Sequence, residues 1–214
     1  MLDEALHLAN YYDKVKTLVV QRSMHTVTLD PNHDFDYYSM IKEAPFAPPV
    51  PVESTHPLYI LYTSGTTGEP KGIVRDTGGT AVALSWTFDH ILDIKKGDRY
   101  FSTSDIGWVV GHTFIIYGPL LAGATTVIFE GKPSGTPNAG IIWKIIEKHK
   151  IKGYYSAPTA LRVLRKEDPN GDWIKKYDVS SLKHVDMAGE RLDIPTFNWI
   201  SGLLPGINLI QIIS

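Results

Sequence analysis

The chain has 214 residues, of which 43% are hydrophobic and 21% are charged, and its net charge at pH 7 is -2. This composition is typical of a globular protein with one large domain or two small ones, and it gives no reason to expect a nucleic-acid partner. Cysteine is absent from the sequence, which excludes disulfides and thiolate metal sites.

Other site and targeting classes are also disfavoured. The eight histidines show no ligand spacing such as H-E-x-x-H, so we expect no metal site built on them. No apolar stretch reaches the roughly 20 residues that a membrane span requires. The first ten residues carry two acids and no base, unlike a secretory or transit peptide. The sequence leaves open a targeting segment that precedes Met1.

The first part of the chain predicts a small mixed region and then a connector. A helix is predicted over residues 2–9, a strand over residues 17–21, and a polar stretch follows over residues 30–36. Residues 44–57 contain five prolines, which forbid helix and central strand, so an extended connector is predicted there. We therefore divide the chain into residues 1–43, the connector 44–57, and residues 58–214.

An apolar run, Leu58–Leu61, predicts a buried strand and leads directly into the sequence Y-T-S-G-T-T-G-E-P-K-G over residues 62–72. Glycines let such a loop turn tightly and present amide N–H groups, while hydroxyl groups and a cation add further donors. The residues with these properties are Thr63, Ser64, Gly65, Thr66, Thr67, Gly68 and Lys71. They are the groups that a nucleotide triphosphate requires.

The spacing within this loop excludes two common nucleotide motifs. A Walker loop has lysine directly after its last glycine, whereas Glu69 and Pro70 separate Gly68 from Lys71 here. The dinucleotide fingerprint G-x-G-x-x-G is absent as well. A surface turn rich in glycine and threonine remains the alternative interpretation.

Downstream, predicted helices and strands alternate, which indicates an α/β fold with a parallel or mixed sheet covered by helices on both faces. Ligands of such sheets lie at the carboxyl ends of strands, where we place the loop Thr63–Lys71. Helix starts are signalled by Asp105, Pro158 and Pro195. The predicted helices are residues 80–92, 107–121, 138–148, 158–165 and 195–203, and the predicted strands are residues 100–103, 125–129, 153–156, 182–187 and 207–213.

The loop over residues 62–72 resembles the signature loop of the adenylate-forming superfamily. Three further motifs follow in order and resemble short-chain acyl-CoA synthetases: S-D-I-G-W-V-V-G-H-T-F from Ser104, Y-S-A-P-T-A-L-R from Tyr155, and A-G-E-R from Ala188. Three further segments resemble propionyl-CoA synthetases more closely than acetyl-CoA synthetases: I-V-R-D-T-G-G from Ile73, K-P-S-G-T-P from Lys132 and R-K-E-D-P from Arg165. The resemblance covers residues 2–206.

This resemblance implies a two-step ligase. A short-chain carboxylate attacks the α-phosphorus of ATP, with Mg²⁺, to give an acyl-adenylate and pyrophosphate, and the thiol of coenzyme A then displaces AMP. Because the first step joins two anions, it requires donors and cations that spread the phosphate charge. Lys71 is the candidate phosphate-stabilising residue, with an ordinary solvated lysine as the alternative. Localisation in the mitochondrial matrix or the cytoplasm is implied.

The resemblance also assigns site residues. Gly189, Glu190 and Arg191 match the segment that packs on adenine in relatives, the alternative being a plain strand-to-helix turn. The acyl pocket is matched by Trp108, Val109 and Ala188, and coenzyme A contacts by Val110, Ser134 and Ala157; apolar members of both sets could equally be packing residues. Relatives commonly carry threonine at the position of Val110. His112 is predicted to be a hydrogen-bonded core histidine rather than a catalytic one.

Ala188 departs from acetate-specific relatives, which tend to have valine at the matching position. The smaller side chain makes room for about one more methylene, worth ~0.8 kcal/mol, and so favours propionate over acetate. Family members continue into a D-x-W-W-Q-T-E segment and a C-terminal domain, neither of which this sequence contains. We therefore expect the middle part of a longer ligase, inactive by itself and aggregation-prone. A noncatalytic nucleotide-binding isoform and a structural fragment are the alternatives.

Overall fold

The computed structural model of the chain describes residues 2–63, 68–132 and 136–212. It divides into two compact units, Met1–Pro51 and Val52–Ser214. The predicted connector, residues 44–57, contains the division between them.

The smaller unit confirms a predicted helix and a predicted strand, both in shorter form. Helix α1 is Leu2–Leu8, and strand β1, Thr17–Val19, pairs in parallel with β2, Asp34–Asp36, which lies in the polar stretch and is not signalled by any apolar pattern. A 3₁₀ turn, Tyr12–Lys14, precedes β1. Helix α2, Tyr37–Glu43, begins where the Asp36 carboxylate accepts a hydrogen bond from the Ser39 amide at 2.8 Å.

The larger unit is built on a parallel sheet. In the part of the chain that the structure describes, this sheet has five strands: β5 Arg99–Ser102, β6 Thr125–Val127, β7 Gly153–Ser156, β8 His184–Met187 and β9 Asn208–Gln211. Their spatial order is β6-β5-β7-β8-β9. Helices α6 Ile141–His149, α7 Pro158–Glu167 and α8 Ile194–Leu203 provide the crossovers between successive strands from β6 to β9, which confirms the predicted alternation.

Both faces of this sheet are buried. Since successive strand residues point to opposite sides, one strand contributes side chains to both faces. Phe101 and Tyr154 belong to one core cluster, which includes the buried residues of α6, α7 and α8. Tyr100 and Tyr155 belong to the other, together with Phe88 and Phe114. The prediction of helices on both faces is therefore confirmed.

The strand predicted over Leu58–Leu61 exists but is not buried. It is β3, Pro57–Thr63, and it pairs antiparallel with β4, Lys71–Asp76, instead of joining the parallel sheet. Its residues are half-buried or exposed, and Ile60 is 56% exposed. The prediction of a buried strand is wrong because a short apolar run looks the same in a central strand and in a hairpin with only one covered face.

Two predicted helices are interrupted by π-helical turns. The helix predicted over residues 80–92 is α3, Thr77–Trp86, followed by the π segment Thr87–Ile91; Asp76 caps its start. The helix predicted over residues 107–121 begins later and consists of α4 Val109–Gly111, the π segment His112–Tyr117 and α5 Gly118–Leu121. A further 3₁₀ turn is Ile174–Lys176.

The late start of α4 has a local cause. The Asp105 carboxylate accepts a hydrogen bond from the Gly107 amide at 2.7 Å, which forms a turn ahead of the helix instead of its first residue. Gly111 then packs so closely on this turn that a Cβ atom would lie 2.3 Å from the Asp105 carbonyl oxygen. This close contact fixes the segment that carries Trp108 and Val109.

Candidate functional site

Two of the predicted phosphate-loop residues, Thr63 and Lys71, lie at the loop end of the β3–β4 hairpin. Thr63 ends β3 and pairs with Lys71, which begins β4 and is exposed. Gly68 has a φ of +89°, a conformation that favours glycine. The predicted donors Ser64, Gly65, Thr66 and Thr67 lie outside the described residues, so their roles stay predictions.

The other predicted binding segments leave the sheet at one edge. Ser102 pairs with Tyr155 and Ser156 pairs with Met187 in parallel register. The segments that follow β5, β7 and β8 therefore emerge side by side at the carboxyl edge, where open α/β sheets bind ligands. They carry Trp108 to Val110, Ala157, and Ala188 to Arg191.

The Gly189–Arg191 segment turns sharply after β8. Gly189 has a φ of +93°, and a Cβ atom added there would meet no atom within 4 Å. The glycine is thus required by backbone conformation, and its surroundings are open enough for a planar ring to approach the backbone.

The Glu190 carboxylate is engaged on both oxygens. Oε1 accepts hydrogen bonds from the Thr159 amide, at 2.8 Å, and from the Thr159 hydroxyl, while Oε2 lies 2.8 Å from Arg162 Nη1. These donors hold the pKa of Glu190 below its usual range. The Glu190 carbonyl accepts a further hydrogen bond from Gln211 at 3.2 Å.

Arg162 also reaches beyond Glu190. Its Nε donates to the Asp193 carboxylate at 2.7 Å, and its Nη2 donates to the Arg191 carbonyl at 2.7 Å. Both carboxylates raise the pKa of Arg162, and Arg162, with the Thr196 amide, holds the pKa of Asp193 far below its usual range. Arg162 stands within the Y-S-A-P-T-A-L-R motif, but its partners are 28 to 31 residues away in sequence, so local pattern could not predict them.

The predicted acyl-pocket residues differ in their surroundings. Trp108 and Val109 line an open groove of about 340 Å³ together with residues of the hairpin, Leu61, Tyr62, Thr63, Ile73 and Arg75, and with Gly107. Trp108 is 70% exposed, so the alternative interpretation of this residue as core filler is wrong. Ala188 is 7% exposed and belongs to the core cluster of Phe88 and Tyr100, with Val110 packed against that cluster.

The two described coenzyme A candidates differ in burial. Val110 is half-buried against the core, whereas Ala157 is exposed and precedes α7. Ser134 lies outside the described residues. The roles of all three stay predictions.

His112 is half-buried and stacks on Tyr59, with the ring centroids 4.9 Å apart. Its Nδ1 atom is buried and has no hydrogen-bond partner among residues 2–63, 68–132 and 136–212. The prediction of a hydrogen-bonded core histidine is therefore wrong for this atom. The aromatic stack with Tyr59 and Tyr117, instead of a polar contact, holds the ring.

A buried polar chain in β8 has no signal in the sequence pattern. Asp186 is fully buried, accepts a hydrogen bond from the Tyr100 hydroxyl at 2.8 Å, and lies 2.8 Å from His184 Nδ1. Burial and this carboxylate raise the pKa of Tyr155 to about 12 and raise that of Tyr100 well above its usual value. Both phenols are thus neutral at physiological pH.

The described residues contain no group of three or more histidine, aspartate or glutamate side chains that could hold a metal ion. Within the same described ranges, no helix is long and apolar enough to cross a membrane.

Comparison with known proteins identifies the family. A model for AMP-binding enzymes matches residues 4–213. Acyl-CoA synthetase short-chain family member B, mitochondrial, of Dictyostelium discoideum is 52% identical over 78% of this chain and 24% of its own length. The mouse acyl-CoA synthetase short-chain family member 3, mitochondrial, is 45% identical over 93% of this chain and 29% of its own.

A bacterial relative extends the same pattern. The acetyl-coenzyme A synthetase of Rhodobacter capsulatus is 45% identical over 87% of this chain and 28% of its own length. The chain thus spans about a quarter to a third of the length of the curated relatives it matches. With a family match over nearly all of its residues, the chain belongs to the AMP-binding enzyme family.

Proposed function

We propose that this sequence supplies nucleotide and acyl contacts to an ATP-dependent short-chain acyl-CoA synthetase. The reaction would join a short-chain carboxylate to coenzyme A through an acyl-adenylate. Because the chain spans only part of its relatives, the complete reaction is proposed for a protein of their length that contains this sequence. The names of these relatives support the reaction class.

One observation carries the proposal: the segments after β5, β7 and β8 emerge together at the carboxyl edge of the parallel sheet. They bring the candidate acyl residues Trp108 and Val109, the candidate coenzyme A residue Ala157, and the candidate adenine segment Gly189–Arg191 to one edge. A ligase that uses three substrates in succession needs such convergence.

The hairpin would supply the phosphate contacts. Lys71 and Thr63 pair at its loop end, and Thr63 also lines the groove beside Trp108. Triphosphate at the hairpin loop would thus have an apolar groove next to it for the acyl chain. Lys71 would act as a point charge for the departing pyrophosphate, with any Mg²⁺ held largely by the phosphates themselves.

Nucleotide binding tests this part of the proposal. Isothermal titration of the 214-residue chain with ATP should give saturable binding, and Lys71→Ala should weaken it by about tenfold, equivalent to 1.4 kcal/mol. The matched control is Lys183→Ala, since Lys183 is exposed and lies directly before β8 at the opposite edge of the sheet. Absence of ATP binding would support the structural-fragment alternative instead.

Propionate is the proposed preferred acyl substrate, with acetate also accepted. Ala188 directly follows β8, and its side chain is smaller than that of valine. Ala188→Val in the full-length enzyme should lower the propionate-to-acetate ratio of kcat/KM by about 10- to 200-fold, the range of one methylene. An unchanged ratio in a folded variant would contradict this assignment.

Coenzyme A is the proposed acyl acceptor, with Val110, Ser134 and Ala157 as candidate contacts. A mitochondrial matrix location is proposed because two of the relatives are named as mitochondrial. Fractionation of cells that express the full-length protein would test it, and recovery in the cytosol would contradict it.

A further inference from the structure

We infer that Arg162 is a positioning residue for the adenine-binding segment, and that the Glu190 side chain is a strut of that segment and not a ligand of the nucleotide. This inference rests on the proposed function, because it assigns the purine contact to residues 189–191. It deepens that function by distinguishing the groups that bind the nucleotide from the groups that hold the binding segment in place.

The guanidinium of Arg162 uses each of its three nitrogens on a different acceptor. Nε binds Asp193 at 2.7 Å, Nη1 binds Glu190 at 2.8 Å, and Nη2 binds the Arg191 carbonyl at 2.7 Å. Glu190 and Arg191 lie within the turn that follows β8, and Asp193 lies directly before α8. One side chain on α7 thereby fixes the path of the chain from Glu190 to the start of α8.

The Glu190 carboxylate has little capacity left for a ligand. Its Oε1 atom accepts two hydrogen bonds from Thr159 and its Oε2 atom pairs with Arg162. A nucleotide that approached this carboxylate would meet negative charge and would have to displace these donors. The purine is expected to lie instead over the backbone at Gly189, where the space for a side chain is open.

Arg165, one turn further along α7, does not duplicate this role. Its Nη1 atom is 3.8 Å from Asp193 and 3.4 Å from the Thr196 hydroxyl, so it supports the start of α8 only weakly. Lysine could not replace Arg162 either, because an ammonium group is a single point charge and cannot reach three divergent acceptors.

The experiment compares Arg162→Gln, Arg162→Lys and Glu190→Gln with the control Lys166→Gln. Lys166 is exposed on the same helix, and its substitution removes the same charge. Hydrogen exchange of the 214-residue chain without nucleotide is the first readout. Exchange at the Thr159 amide and across residues 189–193 should rise in the three test variants and stay unchanged in the control.

Titration with AMP, adenosine and ATP is the second readout. Arg162→Gln and Arg162→Lys should both weaken all three ligands by a similar factor of about ten or more. Glu190→Gln should have a smaller effect, because the amide oxygen can still accept one of the hydrogen bonds. Lys71→Ala should weaken ATP while leaving adenosine unchanged, which separates purine contacts from phosphate contacts.

Each failure has a distinct meaning. Unchanged exchange in Arg162→Gln, or adenosine affinity within twofold of the unsubstituted chain, would overturn the positioning role. If Arg162→Lys retained the exchange and the nucleotide affinity of the unsubstituted chain, positive charge alone would be sufficient. That result would overturn the positioning role of the forked guanidinium as well. If the unsubstituted chain binds no nucleotide, the proposed function fails, while the exchange data still decide whether Arg162 holds the segment.

Discussion

Gly189 and Gly202 both have open space where a Cβ atom would be added, but they differ in backbone conformation. Gly189 has a φ of +93°, whereas Gly202 lies in α8. A side chain therefore strains the first position and suits the second. Substitutions at these two positions therefore separate the effect of backbone strain from the effect of side-chain packing.

We expect Gly189→Ala to lower the free energy of unfolding by about 1–2 kcal/mol, the cost of a left-handed conformation. Gly202→Ala should raise it by about 0.5–1 kcal/mol, because alanine favours helix over glycine. Urea denaturation of both variants and the unsubstituted chain measures the difference. Changes of the same sign in the two variants would contradict this explanation.

At the same scale, the sequence indicates a candidate adenine segment but not what holds it in place. Gly189 and Glu190 stand in a recognisable motif, whereas Asp193 looks like an ordinary helix cap. The contacts of Glu190 and Asp193 with Arg162 depend on how β7 and β8 pair, which no local pattern specifies. Asp186 is unpredictable for a similar reason, because its partner Tyr100 is 86 residues away.

Among the helices, those whose start is marked by a proline agree best with the sequence prediction. Pro158 begins α7 and Pro195 lies in the first turn of α8, since proline needs no hydrogen-bond partner there. Strand β7 was predicted with its observed bounds, Gly153–Ser156. The hairpin strand β4 was missed because its β-branched pair, Ile73 and Val74, directly follows a loop that dominates the local pattern.

The start of α8 also predicts a pH dependence. The Asp193 carboxylate accepts the Thr196 amide at 2.9 Å and pairs with Arg162, and both contacts lower its pKa in the folded state. Its stabilisation is therefore complete above the ordinary aspartate pKa of 3.8 and is lost as pH falls below that value. Glu190 adds to the effect in the same direction.

We expect the free energy of unfolding to decrease as the pH is lowered from 5 towards 3. In Asp193→Asn that decrease should be smaller, because one of the responsible carboxylates is gone. Urea denaturation at several pH values, with salt held constant, measures both slopes. Equal slopes in the two proteins would show that Asp193 does not contribute to the pH dependence. Because its side chain is partly exposed, the effect is sensitive to ionic strength.

At the scale of the whole molecule, the β3–β4 hairpin exposes an apolar face. The face opposite Leu61 and Ile73 carries Ile60, Tyr62 and Val74, which are 56%, 69% and 55% exposed. A contiguous apolar face of this kind promotes association. This supports the expectation of an aggregation-prone product on different grounds from those given by sequence.

We predict that the 214-residue chain self-associates as its concentration rises. Threonine at Ile60, Tyr62 and Val74 keeps the tendency to form strands and removes apolar surface, so the triple variant should stay monomeric. Light scattering after size exclusion measures the mass, and circular dichroism checks that the fold is retained. A monomeric unsubstituted chain at every concentration would contradict the prediction.

Ala188 belongs to the buried core of the sheet as well as to the sequence motif at its edge. A larger residue here would have to fit against packed neighbours, and overpacking of this kind costs about 1–3 kcal/mol. If Ala188 lines the acyl pocket as proposed, acyl preference could not be exchanged freely at this position. A larger residue that favours the smaller substrate would require compensating loss of volume nearby, so selectivity and foldability would change together.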